Sequence, residues 1–309
     1  MSSPPGRQLP MLLTLLGACL ISVSAVWVKL AQVEPAVSSF YRVFFGACFL
    51  LLATVWRGDL RLPARRQCPW ILLCGLIFAL DLYCWHGSIR YIGPGLATII
   101  GNFQVFILTA IGFFFSKEQL RLRFLLAIPI AITGLFLVIE LPPRFNLHSA
   151  SLLGLILGLL TALCYSGFLL SLKKIQSDEQ HHSFFYNLLL ISLVTALFLA
   201  LFMVATNTSF ALPSLTAITS LLCLGLFSQT IGWALIAHAM PKMRTSLTGM
   251  ILLLQPALSF VWDVLLFGRP TTLENWLGVG LTLTAIYMGM TGKQKLSTST
   301  VIKGHPKQT

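Results

Sequence analysis

Charge is what this chain has least of. Only 10% of its residues are Asp, Glu, Lys or Arg, while 56% are hydrophobic. Soluble domains carry about 25% charged residues, so a soluble globule with an ordinary surface is excluded. The net charge of +12 does not indicate nucleic acid, because there is no basic domain. The Lys and Arg stand in short stretches between apolar runs, where they set topology. Paired cysteine spacings are also missing. The seven (Cys19, Cys48, Cys68, Cys74, Cys84, Cys164 and Cys223) are odd in number and show no C-x-x-C or metal spacing. They read as small core hydrophobes. No Walker or Rossmann fingerprint stands in a strand–helix context, and His181 and His182 have no second ligand set. The residues imply no cofactor, no metal, no nucleic-acid partner and no self-contained ATP-driven pump. No small-residue cleavage site follows the start, so the first apolar run reads as a retained span.

What the chain has is apolar length. Runs between charged or Pro/Gly breaks predict spans near 9–31, 36–56, 69–91, 94–115, 122–140, 150–172, 183–206, 214–240, 245–267 and 273–292, each about 20 residues long. With the N-terminus inside, sixteen loop Lys and Arg fall on the cytoplasmic side and four (Lys29, Arg90, Arg144 and Arg269) outside. That positive-inside bias places both termini in the cytoplasm. The expected fold is an all-α polytopic membrane protein, multi-pass in the inner or plasma membrane. Residues 293–309, rich in Ser, Thr and Lys, read as a disordered cytoplasmic tail.

The chain also repeats itself. At an offset of 151, Leu96 falls on Leu247, Gln104 on Gln255 and Leu122 on Leu273; at 145, Glu34, Phe40 and Tyr41 fall on Glu179, Phe185 and Tyr186. Residues 1–147 and 148–292 therefore read as two five-helix repeats. Five is odd, so the second copy enters the membrane from the opposite side. Halves of inverted topology packed about an axis in the membrane plane support alternating access.

Several short patterns accompany the repeat: Phe40-Tyr41-Arg42, Ile89-Arg90-Tyr91-Ile92-Gly93-Pro94-Gly95, Ser116-Lys117-Glu118 and Gln255-Pro256. In these the chain resembles the EamA-type branch of the drug/metabolite transporter superfamily over about residues 9–292. The resemblance implies a ten-helix plasma-membrane carrier, most often an exporter of metabolites, amino acids or drug-like compounds. It departs from the family at Arg269, where the counterpart of Glu118 would be an acid.

Asp81 is the candidate centre. A carboxylate at bilayer depth costs roughly 2.5–3.5 kcal/mol on insertion scales, so it either serves the interior or bonds a neighbouring helix. Cys74, Phe78, Asp81, Trp85 and Ser88 share one helical stripe; Tyr83, His86 and Arg90 lie opposite, and the expectation is that only the Asp81 stripe lines the interior. Gln229, repeat counterpart of Phe78, and Trp233 are expected on the matching wall. Gln104 and Gln255 either hold a substrate's polar group or bond across helices. Tyr41 and Arg42 enter through the family pattern, with Arg42 expected to meet Glu34, Asp81 or a substrate carboxylate. Asp263 reads as a gate residue or an interfacial acid, and His238 as an interfacial residue. The expected function is secondary transport of a small organic solute, with proton coupling through Asp81 open and a monomer or homodimer as the working form. The alternative is an intramembrane enzyme, which would need facing carboxylates such as Asp81 and Asp263.

Overall fold

The computed structural model describes residues 5–60, 65–138, 149–177 and 183–291, with side chains for all of these but 5–7, 90, 93–96 and 149–151. The repeat boundary near 147, Arg144, Glu179, His181, His182 and the tail lie outside the described residues. Every regular element among them is helical. Eight segments are long and apolar enough to cross a membrane: α1 Gln8–Ala31, α2 Pro35–Trp56, α3 Cys68–Ile89, α4 Ala97–Phe114, α6 Leu152–Gln176, α7 Phe184–Ala205, α8 Leu215–Lys242 and α9 Thr245–Phe267. The fifth and tenth spans are the shorter α5 Leu122–Val138 and α10 Leu273–Met290, which pack along one another.

Four spans depart from simple rods. The first breaks at Val23, between helices Pro5–Ser22 and Ser24–Ala31. The eighth carries a π-helical stretch over Leu224–Gly232. The fourth and ninth break at Asn102–Phe103 and Leu253, which coincide at the 151 offset. Pro256 contributes to the second break: it has no N–H, and its ring clashes with the carbonyl four residues back.

Between the third and fourth spans the helical hydrogen bonding does not lapse as the sequence suggests; it continues from Cys68 to Gly101. That run cannot be straight. A Cβ on Gly101 would touch both Trp85 and Thr161, and one on Gly158 would touch both Ser88 and Ile100. Straight helix would hold Trp85 and Gly101 about 24 Å apart at roughly 1.5 Å per residue. The run bends sharply between Ile89 and Ala97, and α3 and α4 are the two apolar arms on either side of that bend.

The packing obeys exchange of the halves. Pairs α2–α7, α4–α9 and α5–α10 each map onto themselves. Pair α1–α8 maps onto α6–α3, α1–α9 onto α6–α4, and α2–α8 onto α7–α3; all are in contact. The backbone repeats too: Lys117 (φ 50°) and Gly268 (φ 62°), counterparts at the 151 offset, take the same left-handed conformation after α4 and α9. Glycines let the spans touch. A Cβ on Gly134 of α5 would meet the Gly278 carbonyl of α10 at 2.6 Å, and such small-residue contacts hold membrane helices together.

Candidate functional site

Arg42 on α2 reaches inward. Its Nε donates to Gln229 Oε1 on α8 at 3.2 Å, and Gln229 Nε2 donates to Ser192 Oγ on α7 at 3.2 Å. Gln229 is seated by Gly46 one turn from Arg42, where a Cβ would fall 2.4 Å from the Gln229 Cγ. The π-helical stretch includes Gln229 and directs it at α2 and α7. Asp81 on α3 is 7% exposed, and its Oδ1 has no hydrogen-bond partner among the described residues. Arg42 and Tyr165 of α6 lie within electrostatic reach of it. The two charged groups nevertheless form no ion pair: those within 4.0 Å among the described residues are Lys29–Asp263, Arg57–Asp59 and Arg269–Asp263. Tyr165 also faces Gln255 on α9.

An aromatic wall borders this cluster. Trp233 meets Phe168 edge-on at 4.9 Å, with Phe78 and Tyr165 at 6.2 and 6.4 Å. Among the described residues, several buried polar atoms lack partners: Trp233 Nε1 in this wall, Gln255 Nε2 beside Tyr165, and both amide atoms of the fully buried Gln104 on α4. A buried polar group left unpaired costs about 1–3 kcal/mol, so a concentration of them marks a place built for something other than packing. Gln104 and Gln255 stand immediately after the paired helix breaks. Interrupted helices at matching positions of inverted repeats are where such folds bind solutes.

Not every expected residue joins the cluster. Tyr41 turns away: its hydroxyl donates to the Phe210 carbonyl at 2.7 Å, among Phe40, Phe44 and Phe45. Adjacent residues on a helix diverge by about 100°, so Arg42 and Tyr41 cannot face the same way. Trp85 sits half-buried against His86. The opposite stripe of α3 splits, contrary to the expectation that it faces away as one. Tyr83 is 49% exposed and packs on Phe202. His86 bonds back to the Leu82 carbonyl at 2.7 Å, and this tilts its ring toward Ser39 and the Arg42 guanidinium. Asp263 pairs with Lys29 at 2.8 Å and Arg269 at 3.7 Å, at the end of the bundle where Tyr41 is anchored. His238 meets Lys242 and Phe184 at the other end. Tyr165 and Ser192 carry no advance signal, each being one of several ordinary hydroxyl residues in its apolar span.

A second polar assembly closes the end opposite Asp263. A cavity of about 330 Å³ there is lined by Glu118, Lys173, Lys242, Arg244 and their neighbours.

Inverted five-helix halves around a buried cluster of ionisable and amide groups define a multi-pass membrane protein with a transporter fold. A family model described as the EamA-like transporter family matches residues 8–140 and again 152–291. The chain belongs to that family. A solved structure described as "Crystal structure of protein" superposes with a TM-score of 0.79 over 91% of this chain and 98% of its own, at 14% identity. At that identity the likeness is one of fold. No curated protein matches.

Proposed function

We propose that this protein is a secondary carrier that moves a small polar organic solute by alternating access, with the substrate held between α2, α3, α4, α6, α8 and α9. The observation that carries the reading is that the buried Asp81 and the half-buried Arg42 lie within electrostatic reach of each other, where the two halves meet, without forming an ion pair. An interior acid and cation that do not engage each other leave hydrogen-bonding capacity for a third party. In this reading Arg42 and Gln229 take the solute's acceptor group. Asp81 takes its donor or a proton, Gln104 and Gln255 add amide contacts, and Trp233 and Trp85 form walls. Tyr41 is released from the binding set because its hydroxyl is already committed.

The carrier sits in the inner or plasma membrane with both termini cytoplasmic, as a monomer or homodimer, and acts as an exporter. Residues 1–147 and 148–292 are its halves, and 293–309 its tail. Of Asp81 and Asp263, the dyad an intramembrane enzyme would require, Asp263 is committed to Lys29 and Arg269 while Asp81 forms no ion pair among the described residues, which favours the carrier.

The test is a metabolite thermal-shift screen on the purified protein in detergent, since a ligand of the folded state raises apparent stability. A ligand of the proposed site raises the Tm of the wild type and fails to raise that of Arg42→Gln or Asp81→Asn. Ligands that stabilise both variants as well as the wild type would place the substrate elsewhere.

A further inference from the structure

Glu118 stands outside the central cluster, yet its carboxylate is the most heavily bonded acid among the described residues. It accepts from the Thr245 N–H at 2.7 Å, from the Ser246 N–H at 3.3 Å, and from the Ser246 hydroxyl. These are the orphan donors of the α9 N-terminus, which its own N-cap residue, Arg244, leaves without a side-chain acceptor. A carboxylate there is doubly favoured, by charge-assisted bonds and by the helix dipole. The acid belongs to the other half of the molecule, and its seat is Gly112: a Cβ there would lie 2.6 Å from Glu118 Oε2. Arg244 adds a tie across the same seam, and Lys173, which belongs to the same half as α9, braces that helix start within its own half. Lys173 of α6 donates to the Met243 carbonyl at 2.7 Å and to Thr245 Oγ1 at 2.9 Å, and Arg244 donates to the Gln119 carbonyl at 3.2 Å. Together they bridge the mouth of the 330 Å³ cavity.

The repeat supplies a control within the same chain. At the opposite end, the counterpart of every part is unable to do the same job. Glu118 maps to Arg269, which has donors only. Gly112 maps to Asp263, which holds that Arg at 3.7 Å. Thr245 and Ser246 map to Pro94, with no N–H, and Gly95, with no hydroxyl; Lys173 maps to Val28 at the 145 offset. Of the three bonds Glu118 accepts, the counterpart pair could offer one.

We propose that Glu118 is a gate latch. Seated on Gly112, it clamps the α9 N-terminus across the seam between the halves, and the missing counterpart makes the Lys173 end the one that rests closed. The latch rests on the alternating-access reading, and it biases which of the two exchangeable conformations is occupied without a ligand.

The repeat also provides matched reporters. Positions 65 and 242 flank the Lys173 end; their exchange partners, 216 and 91, flank the other. Nitroxide pairs would be placed through Arg65→Cys/Lys242→Cys and Tyr91→Cys/Thr216→Cys in full-length chains otherwise free of cysteine. Distance distributions would then be measured by double electron–electron resonance in lipid nanodiscs. Glu118→Gln removes the charge and turns an amide donor toward N–H groups, so the ratio of open to closed at 65/242 rises about tenfold. The 91/216 distance shortens in step. Gly112→Ala leaves the acid in place but unseats it, and shifts both distances the same way. Unchanged 65/242 distributions in both variants would overturn the latch and leave Glu118 a helix cap. Lengthening at 65/242 without shortening at 91/216 supports the latch and rejects alternating access, so the two ideas fail separately.

Discussion

Arg42 owes its position to a glycine. Gly46 lies one turn along α2, and its missing Cβ is the space Gln229 occupies. Gly46→Ala should push Gln229 off Arg42 and Ser192, at a cost of about 1–3 kcal/mol typical of an overpacked core. The measurement is Tm in detergent, with Gly280→Ala, where a Cβ meets nothing within 4 Å, as the control that holds or gains stability. A second residue carries a burden of the opposite sign. Lys117 takes the left-handed conformation that its repeat counterpart Gly268 fills without strain. A side chain there costs roughly 1–2 kcal/mol, part of which glycine returns through the entropy of the unfolded chain. Lys117→Gly should therefore raise Tm slightly, corresponding to about 0.5–1 kcal/mol, and a fall would show that the Lys side chain itself bonds usefully at this turn.

At the scale of elements, the spans were legible because lipid demands about 20 apolar residues from any helix that crosses it. What the sequence conceals is how those spans bend. Val23 is neither Pro nor Gly and nothing in the sequence marks its break, whereas Gly101 beside Asn102 and Pro256 beside Leu253 stand at the other two. The site divides in the same way. Asp81 was legible because a charge in an apolar run is costly, and Gln229 because the repeat aligns it with the Asp81 stripe. Tyr165 and Ser192 are hydroxyl residues of ordinary kind, and no periodicity marks them; helix-wheel geometry alone also left out His86, whose bond to its own helix redirects it. The α5–α10 pair tests the packing argument itself. Gly278→Ala would set a methyl 2.5 Å from the Gly134 carbonyl, backbone that cannot yield. It should destabilise by more than about 1–3 kcal/mol, measured by denaturant titration in mixed micelles, while Gly280→Ala on the same helix does not.

For the molecule as a whole, the exchange pattern constrains topology more tightly than hydropathy does. Lys29 and Asp263 meet at 2.8 Å, and Tyr41 meets Phe210 at 2.7 Å. Those contacts bring the connection after α1 and the start of α2 to the same end as the connections after α7 and α9. Glu118 with Thr245 and Lys173 with Met243 likewise join the connection after α4 with those after α6 and α8. Both groupings are what strict alternation of ten crossings requires, so the start of α1 and residue 291 stand on one side of the bundle. That side carries Lys173, Lys174, Lys242 and Arg244, and the positive-inside rule leads us to propose that it faces the cytoplasm. The check is a pair of fusions to the full chain: a fluorescent protein after Thr309, which folds only in the cytoplasm when exported unfolded, and alkaline phosphatase inserted after Asn207, which is active only outside. Fluorescence from the first and phosphatase activity from the second are expected. Moving Lys173, Lys174 and Lys242 to neutral residues should weaken that preference, since the orientation rests on cations in short loops near span ends. A dark C-terminal fusion with an inactive phosphatase would reverse the assignment of sides, and with it the direction in which the Glu118 latch closes, while leaving the contacts between the halves intact.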